Sequence, residues 1–329
     1  MNPDLPPALR QGIDSLLQGV GRSGLAERAA AMSAGYRAGQ GSKVVIRTAE
    51  DAAAYAAARL PATYAAVARA LSEADDRLID FAPRSLLDAG AGPGAAGWAA
   101  TSIWTSLETA VLLDSSRIFL DLAARLAASG APPLAQAEHR LADLTQVQTL
   151  PKADLVMASY VLAEMAQDKV PDLVSNLWAA CTGALVLVEP GSVEGWTRIK
   201  LARERLTALG AVIAAPCAHD LSCPVMAPDW CHFVQRLPRS RDHRQAKGAD
   251  RPFEDEKFIY LVAVCADRHL RPAEDRILAP PRQSKIALEF KVCTTDGACR
   301  QRQIARRDRS DYAIARRLDW GDGLGTRAD

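Results

Sequence analysis

From Ser85 onward the apolar residues switch from helical spacing to short runs, and that switch constrains the fold of this 329-residue chain more than any other feature. The runs are Ser85 to Asp88, Thr109 to Asp114, Ala153 to Ala158 and Ala184 to Glu189, separated by segments of helical spacing. Strand alternating with helix predicts an α/β fold, a doubly wound, Rossmann-like parallel sheet. Residues 1–80 are Ala-rich with helical periodicity (Leu9, Ile13, Leu16, Leu17, then Ala53 to Leu71), and Pro61 suits the first turn of a helix. His232 to Leu237 and Phe258 to Val264 read as two further strands, an antiparallel pair closing the sheet. The charged stretch between them, Pro238 to Lys257, reads as an exposed loop. Lys285 to Val292 and Asp311 to Ala315 suggest a small β appendage. The expected organisation is a helical N-terminal region (1–80), a nucleotide-cofactor domain (81–265) that includes a cysteine-rich, metal-binding insertion at Cys217–Cys231, and a small basic β-rich region (266–329).

With 49% hydrophobic residues the chain can bury a substantial core, and at roughly 150 residues per domain its length suggests about two units. No charged-then-apolar leader pattern and no run of about 18 apolar residues occurs, so the expectation is a protein without membrane association, resident in the cytoplasm. Net charge is only +1, yet residues 232–329 hold 21 Lys/Arg against 15 Asp/Glu, and residues 1–231 hold 19 against 24. The basic end is densest at Arg300, Arg302, Arg306, Arg307, Arg309, Arg316 and Arg317. These suit either phosphate contact or a solvated face salt-bridged to Asp308 and Asp311.

The run Asp88-Ala-Gly90-Ala-Gly92-Pro-Gly94 lies between a strand and a helix, where glycines let the backbone approach a ligand at a helix N-terminus. Gly92, Gly94 and Gly97 also match a dinucleotide G-x-G-x-x-G. Two acids argue against that reading. Asp88 stands two residues before the first glycine, as in the acidic glycine motif of class I S-adenosylmethionine-dependent methyltransferases, and Asp114 ends the next strand, where it could accept both ribose hydroxyls. Asp143, beyond a third strand, is placed as such enzymes place an acid for the adenine amine. A turn without any ligand is the remaining alternative.

Catalytic residues are less legible, because methyl transfer from a sulfonium needs mainly in-line positioning. Ala158-Ser-Tyr-Val-Leu-Ala-Glu164 follows the fourth strand without the Asn/Asp-Pro-Pro-Tyr/Phe motif of base-amine methyltransferases. Tyr160 and Glu164 are the candidates, against the reading of an ordinary strand-to-helix turn.

Three of seven cysteines, Cys217, Cys223 and Cys231, cluster in a stretch kept looped by Pro216, Pro224 and Pro228. Clustered thiols in a reducing compartment read first as metal ligands. Soft thiolates select zinc or an iron-sulfur cluster, with Cys293, Cys299, Cys265, His219 or His232 as a fourth ligand. The spacing is unlike the Cys-x-x-Cys pairs of zinc ribbons. Buried small apolar side chains are the bland alternative. Cys181, in a helical stretch, reads as core.

Arg59 to Tyr64, Leu86 to Gly94, Tyr160 to Glu164, Pro216 to Pro224, Asp229 to Phe233, Glu256 to Phe258 and the ending Asp319-Trp-Gly-Asp322 together resemble the ribosomal small subunit Rsm22 family, over residues 36–323. The resemblance implies a class I methyltransferase fold that binds small-subunit rRNA during mitochondrial ribosome assembly. It also implies a 4Fe-4S cluster carried by four cysteines, here Cys217, Cys223, Cys231 and Cys293, the last because it precedes the Asp296-Gly297 turn. Expected cofactors are therefore S-adenosylmethionine and 4Fe-4S, with zinc as the alternative. The expected partner is the small subunit or its rRNA, contacted through Arg300, Arg302, Arg306, Arg307, Arg316 and Arg317, with a monomer off the ribosome. Methyltransferase activity is expected, or a vestige of it. The competing reading is a zinc-stabilised methyltransferase of a small molecule or protein.

Overall fold

The computed structural model describes residues 4–18, 21–147, 149–248 and 250–325. The apolar runs become the strands β1 (Ser85–Ala89), β2 (Thr109–Asp114), β3 (Glu138–Leu141), β4 (Ala153–Ser159) and β5 (Cys181–Pro190). All five pair in parallel, in the order β3-β2-β1-β4-β5. Three more strands, β6 (Val212–Ala215), β7 (Phe233–Pro238) and β8 (Phe253–Val264), complete the sheet: β8 runs antiparallel to β5 and pairs with both β6 and β7. Because the chain steps outward from β1 to β3 and then returns to lay β4 beside β1, a crevice opens at the carboxyl ends of β1 and β4, the usual ligand position in such sheets.

Period-two alternation sends successive side chains to opposite faces. Leu86, Leu112, Leu155, Met157, Val186 and Val188 enter one apolar core, and Leu87, Leu113, Val156, Leu185 and Leu187 enter a second. The helices fill both sides. α1 (Pro7–Leu17), α2 (Arg22–Arg37), α3 (Ser42–Val45), α4 (Ala49–Ala58) and α5 (Leu60–Arg77) form the N-terminal region. They join the first core, α3 only through the partly buried Val45, together with α6 (Ala95–Ile103), α7 (Arg117–Ala127) and α8 (Pro132–Ala135). α9 (Val170–Ala180) and α10 (Val193–Ala208) cover the other face. α4 starts with a capping box, Thr48 accepting from the Asp51 N–H and Asp51 from the Thr48 N–H, and Pro61 stands in the first turn of α5.

The segment between β7 and β8 is not simply an exposed loop. It folds α11 (Arg241–Ala246), and β8 starts as early as Phe253 because the pleat sends Asp255 and Lys257 to solvent while the inward Glu254 and Glu256 find cations, Glu254 at Arg239 and Lys247 and Glu256 at Arg59. Cys181 is buried as expected, but as the first residue of β5 rather than in a helix.

Beyond β8 lies a second sheet of β9 (Asp275–Ile277), β10 (Arg282–Gln283), β11 (Ala287–Cys293), β12 (Cys299–Ala305) and β13 (Gly323–Leu324), with a small core of Ile277, Leu288, Phe290 and Val292. Asp311 to Ala315, expected as β, is helical within α12 (Arg309–Ala315). Tyr312 and Ala315 are the buried residues, three apart, while Ile314 points to solvent, a helical rather than an alternating pattern.

Candidate functional site

A cavity of about 280 Å³ opens at the β1/β4 crevice. Its floor is the glycine loop. Gly90, Gly92 and Gly94 all have positive φ (77°, 54° and 85°), and the Gly90 and Ala91 amides both donate to the Leu113 carbonyl at 2.8 Å, folding the loop back against the end of β2. Gly94 caps α6 and is absent from the cavity wall, which Gly90 and Gly92 line.

Five predicted acids and hydroxyls meet at this cavity: Asp88, Asp114, Asp143, Tyr160 and Glu164. Asp88 is fully buried, and neither carboxylate oxygen finds a partner of ordinary hydrogen-bond geometry. Burial pushes its pKa up to about 7, with the Gly97 amide opposing. Asp114 accepts from the Gly92 amide at 2.8 Å and the Ser116 amide at 2.7 Å, and burial raises its pKa. Asp143 accepts from Lys43 Nζ at 2.9 Å and from Thr145, contacts that hold its carboxyl down at about 2.

Tyr160 adopts φ 62°, rare for an aromatic residue and a conformation that a site must hold in place. Its amide donates to the Val188 carbonyl at 2.7 Å and its hydroxyl to Glu256 Oε1 at 3.0 Å, and Glu256 in turn pairs with Arg59 at 3.5 Å. Glu164 accepts from the Ser42 hydroxyl. Buried Glu189 at the end of β5 accepts from the Leu162 amide at 2.8 Å and so fixes the turn that carries Tyr160 and Glu164.

Sequence reasoning missed the remainder of the wall. Gly41, Ser42 and Lys43 line the cavity from the N-terminal region, as do Tyr55 and Thr63, and Ser42 and Lys43 are tied to Glu164 and Asp143. Ser159 at the end of β4 contributes a buried hydroxyl without a partner.

The cysteines converge elsewhere. Cys217, Cys223, Cys231 and Cys293 line one small cavity of about 40 Å³ together with His219, whose Nε2 lies 3.4 Å from Cys293 Sγ. Burial pushes the Cys293 thiol up to about 12, and likewise raises Cys217 and Cys231. Cys299 stands opposite Cys293 in the β11/β12 register but is exposed, and neither it, Cys265 nor His232 lines this cavity. Among the described residues no group of three or more His, Cys, Asp or Glu is already set in metal-holding geometry. All seven cysteines are free.

The arginines divide into two groups. Arg300 pairs with Asp296 at 2.6 Å and Arg302 with buried Asp275 at 2.7 Å. Arg307, Arg316 and Arg317 are exposed, as is Arg306, whose guanidinium lies 5.8 Å from the Tyr312 ring centre.

The parallel β3-β2-β1-β4-β5 order with its antiparallel extension and the acidic glycine loop at the crevice define a class I methyltransferase-type, Rossmann-like fold. Solved structures similar to the chain include a magnesium protoporphyrin IX methyltransferase from Synechocystis with bound SAH (16% identity, 63% of this chain and 83% of that one, TM-score 0.40). Another is a putative RNA methyltransferase from Pyrococcus horikoshii (9% identity, 62% and 82%, TM-score 0.40). The chain belongs to the family described as mitochondrial small ribosomal subunit Rsm22, which matches residues 49–325. It is 30% identical over 288 residues to the human mitochondrial ribosome assembly protein METTL17, covering 82% of this chain and 61% of that protein. It is 26% identical to an Rsm22-cox11 tandem protein, mitochondrial, of Schizosaccharomyces pombe, 42% of which is covered. The chain thus spans about two-fifths to three-fifths of the length of these curated relatives. Among the described residues no helix is long and apolar enough to cross a membrane.

Proposed function

We propose that this chain binds S-adenosylmethionine at the β1/β4 crevice and acts on the small ribosomal subunit as an rRNA-binding assembly factor. The observation that carries the cofactor is the charge of the cavity. Its wall holds four carboxyl groups, Asp88, Asp114, Asp143 and Glu164, against one lysine, Lys43, which is paired with Asp143. Burial raises the pKa of Asp88 and Asp114, and among the described residues no further cation lines the cavity with them. Such a wall favours a cationic sulfonium and repels the pyrophosphate of a dinucleotide. The unpartnered oxygens of Asp88 and the Ser159 hydroxyl are the polar atoms that a bound ligand would satisfy.

The cofactor supplies an activated methyl group. This chain's residues would hold it: Gly90 and Gly92 by close backbone approach, Gly94 by setting the start of α6, Asp114 at the ribose and Asp143 at the adenine. The two acceptor-side candidates are engaged within the protein, Tyr160 with Glu256 and Glu164 with Ser42. That favours cofactor-dependent assembly over obligatory methyl transfer. An active rRNA methyltransferase is the second reading, favoured by the held backbone of Tyr160 at the cavity wall.

The donor set of the second cavity fits a thiolate-bound metal. We assign Cys217, Cys223, Cys231 and Cys293 as ligands of a 4Fe-4S cluster, in preference to zinc and in preference to Cys299, which is exposed. Such a centre would fasten the 216–232 segment to the second sheet and deprotonate the thiols that burial keeps neutral. The exposed Arg306, Arg307, Arg316 and Arg317 suit rRNA phosphates, with Arg300 and Arg302 turned to nearby acids. The reading places the protein in whichever compartment holds its ribosome, the cytoplasm or, by analogy with the named relatives, the mitochondrion, with a monomer away from the subunit.

Calorimetric titration of anaerobically purified protein with S-adenosylmethionine, alongside iron, sulfide and zinc analysis, tests both assignments. Saturable cofactor binding and iron with sulfide support them. No binding refutes the crevice assignment, and zinc alone returns the metal to the zinc-stabilised reading.

A further inference from the structure

Among the side chains lining the cysteine cavity are two buried arginines, Arg203 on α10 and Arg276 on β9. Their charges are handled differently. Arg276 Nη1 pairs with Glu73 at 2.7 Å, Glu73 with Arg69 at 2.8 Å and Arg69 with Asp322 at 2.8 Å, so two guanidiniums meet two carboxylates. The Arg276 Nε also donates to the Pro216 carbonyl at 2.9 Å.

Arg203 has no such balance. It is 5% exposed, its Nη2 donates to the His219 carbonyl at 2.8 Å, its Nε has no partner of ordinary hydrogen-bond geometry, its side chain reaches the Cys217 thiol, and among the described residues no carboxylate forms an ion pair with it. A guanidinium stays charged at any ordinary pH, and burying a charge without a counter-ion is strongly unfavourable. A cavity walled by cysteines and apolar side chains, with no carboxylate among the described residues of its lining, offers it none. Four thiolates around a zinc ion, or around an oxidised four-iron cluster, leave a net dianion in the same place.

We propose that Arg203 is the counter-ion of the thiolate-bound centre, its Nε directed to a ligand sulfur; this rests on the metal assignment made above. Positive charge and a hydrogen bond at sulfur both favour the more reduced, more negative state of a cluster, so Arg203 raises its reduction potential as well as retaining it.

The test compares wild-type protein with R203Q, which keeps an amide donor for the His219 carbonyl but no charge, and with R203K, which keeps the charge. All three are purified anaerobically. Metal and sulfide per chain, the rate of metal loss to a chelator and, for iron, the midpoint potential are measured. R203Q is expected to lose metal about tenfold faster or more and to show a more negative potential, whereas R203K stays near wild type. A merely structural role would lower the melting temperature of both variants with no change in potential. If R203Q retains its metal at the wild-type rate with an unchanged potential, the counter-ion role is wrong while the metal assignment stands. If wild-type protein itself contains neither metal nor sulfide, both fall.

Discussion

Gly90 and Gly92 differ in what a methyl group would meet, and that difference separates folding from cofactor binding. Both have positive φ, so alanine at either pays the left-handed penalty of roughly 1–2 kcal/mol. At Gly90 the new Cβ would lie 2.2 Å from Val161 Cγ2, on a β-branched side chain adjoining Tyr160, which adds an overpacking cost of about 1–3 kcal/mol. At Gly92 nothing lies within 4 Å, and the Cβ projects into open space at a position that lines the cavity. G90A should therefore lose roughly 2–5 kcal/mol of stability and melt well below wild type. G92A should lose only about 1–2 kcal/mol yet bind S-adenosylmethionine at least about tenfold more weakly, since a tenfold loss corresponds to only about 1.4 kcal/mol. Thermal melts and calorimetric titration read the two effects separately. Wild-type cofactor affinity in a folded G92A protein would refute the claim that the ligand's approach to the loop backbone is what Gly92 provides.

Further outcomes follow from single residues. D114N keeps one acceptor oxygen for the Gly92 and Ser116 amides instead of two and should weaken cofactor binding by at least about tenfold, measured by the same titration, with a melting loss smaller than that of G90A. Glu189 has its pKa pushed up to about 8 by burial, with the Leu162 amide opposing. A carboxyl raised in the folded state favours its protonated form there, so its stabilisation is complete below about 4.5 and is lost as pH rises through about 8. E189Q should accordingly show a smaller drop in melting temperature between these pH values than wild type, and equal drops would count against the assignment. C293S should lose most of the bound metal while C299S retains it, measured by elemental analysis of protein purified without oxygen. Replacing Arg307, Arg316 and Arg317 together by alanine should weaken rRNA-fragment binding across sequences and reduce the salt slope by about 2–3.

What the sequence disclosed was local. The Asp88–Gly94 loop was legible because each requirement, left-handed glycines and an acid at the end of a strand, falls within seven neighbouring positions. Asp114 was legible as the last residue of an apolar run. Lys43 and Ser42 were not: they reach Asp143 and Glu164 across 100 and 122 residues, and nothing in their spacing marks them. β6 is four residues of Val, Ile and Ala, too short to stand out from the helix before it. Asp311 to Ala315 misled because Tyr and Ile favour strands, whereas the small core under the second sheet accepts Tyr312 and Ala315 from one helical face. Arg203 did carry a signal. In Val193–Ala208 it falls in phase with Trp196, Ile199 and Leu206, the buried stripe of α10, where a cation has no place unless something anionic receives it.

Crosslinking the tagged protein to RNA in its native cells, followed by sequencing of the bound fragments, tests the central claim most directly. Enrichment of one region of small-subunit rRNA, lost when Arg307, Arg316 and Arg317 are replaced, is the predicted result. A flat profile across cellular RNA, indistinguishable from that of the arginine variant, would contradict a role on the small ribosomal subunit.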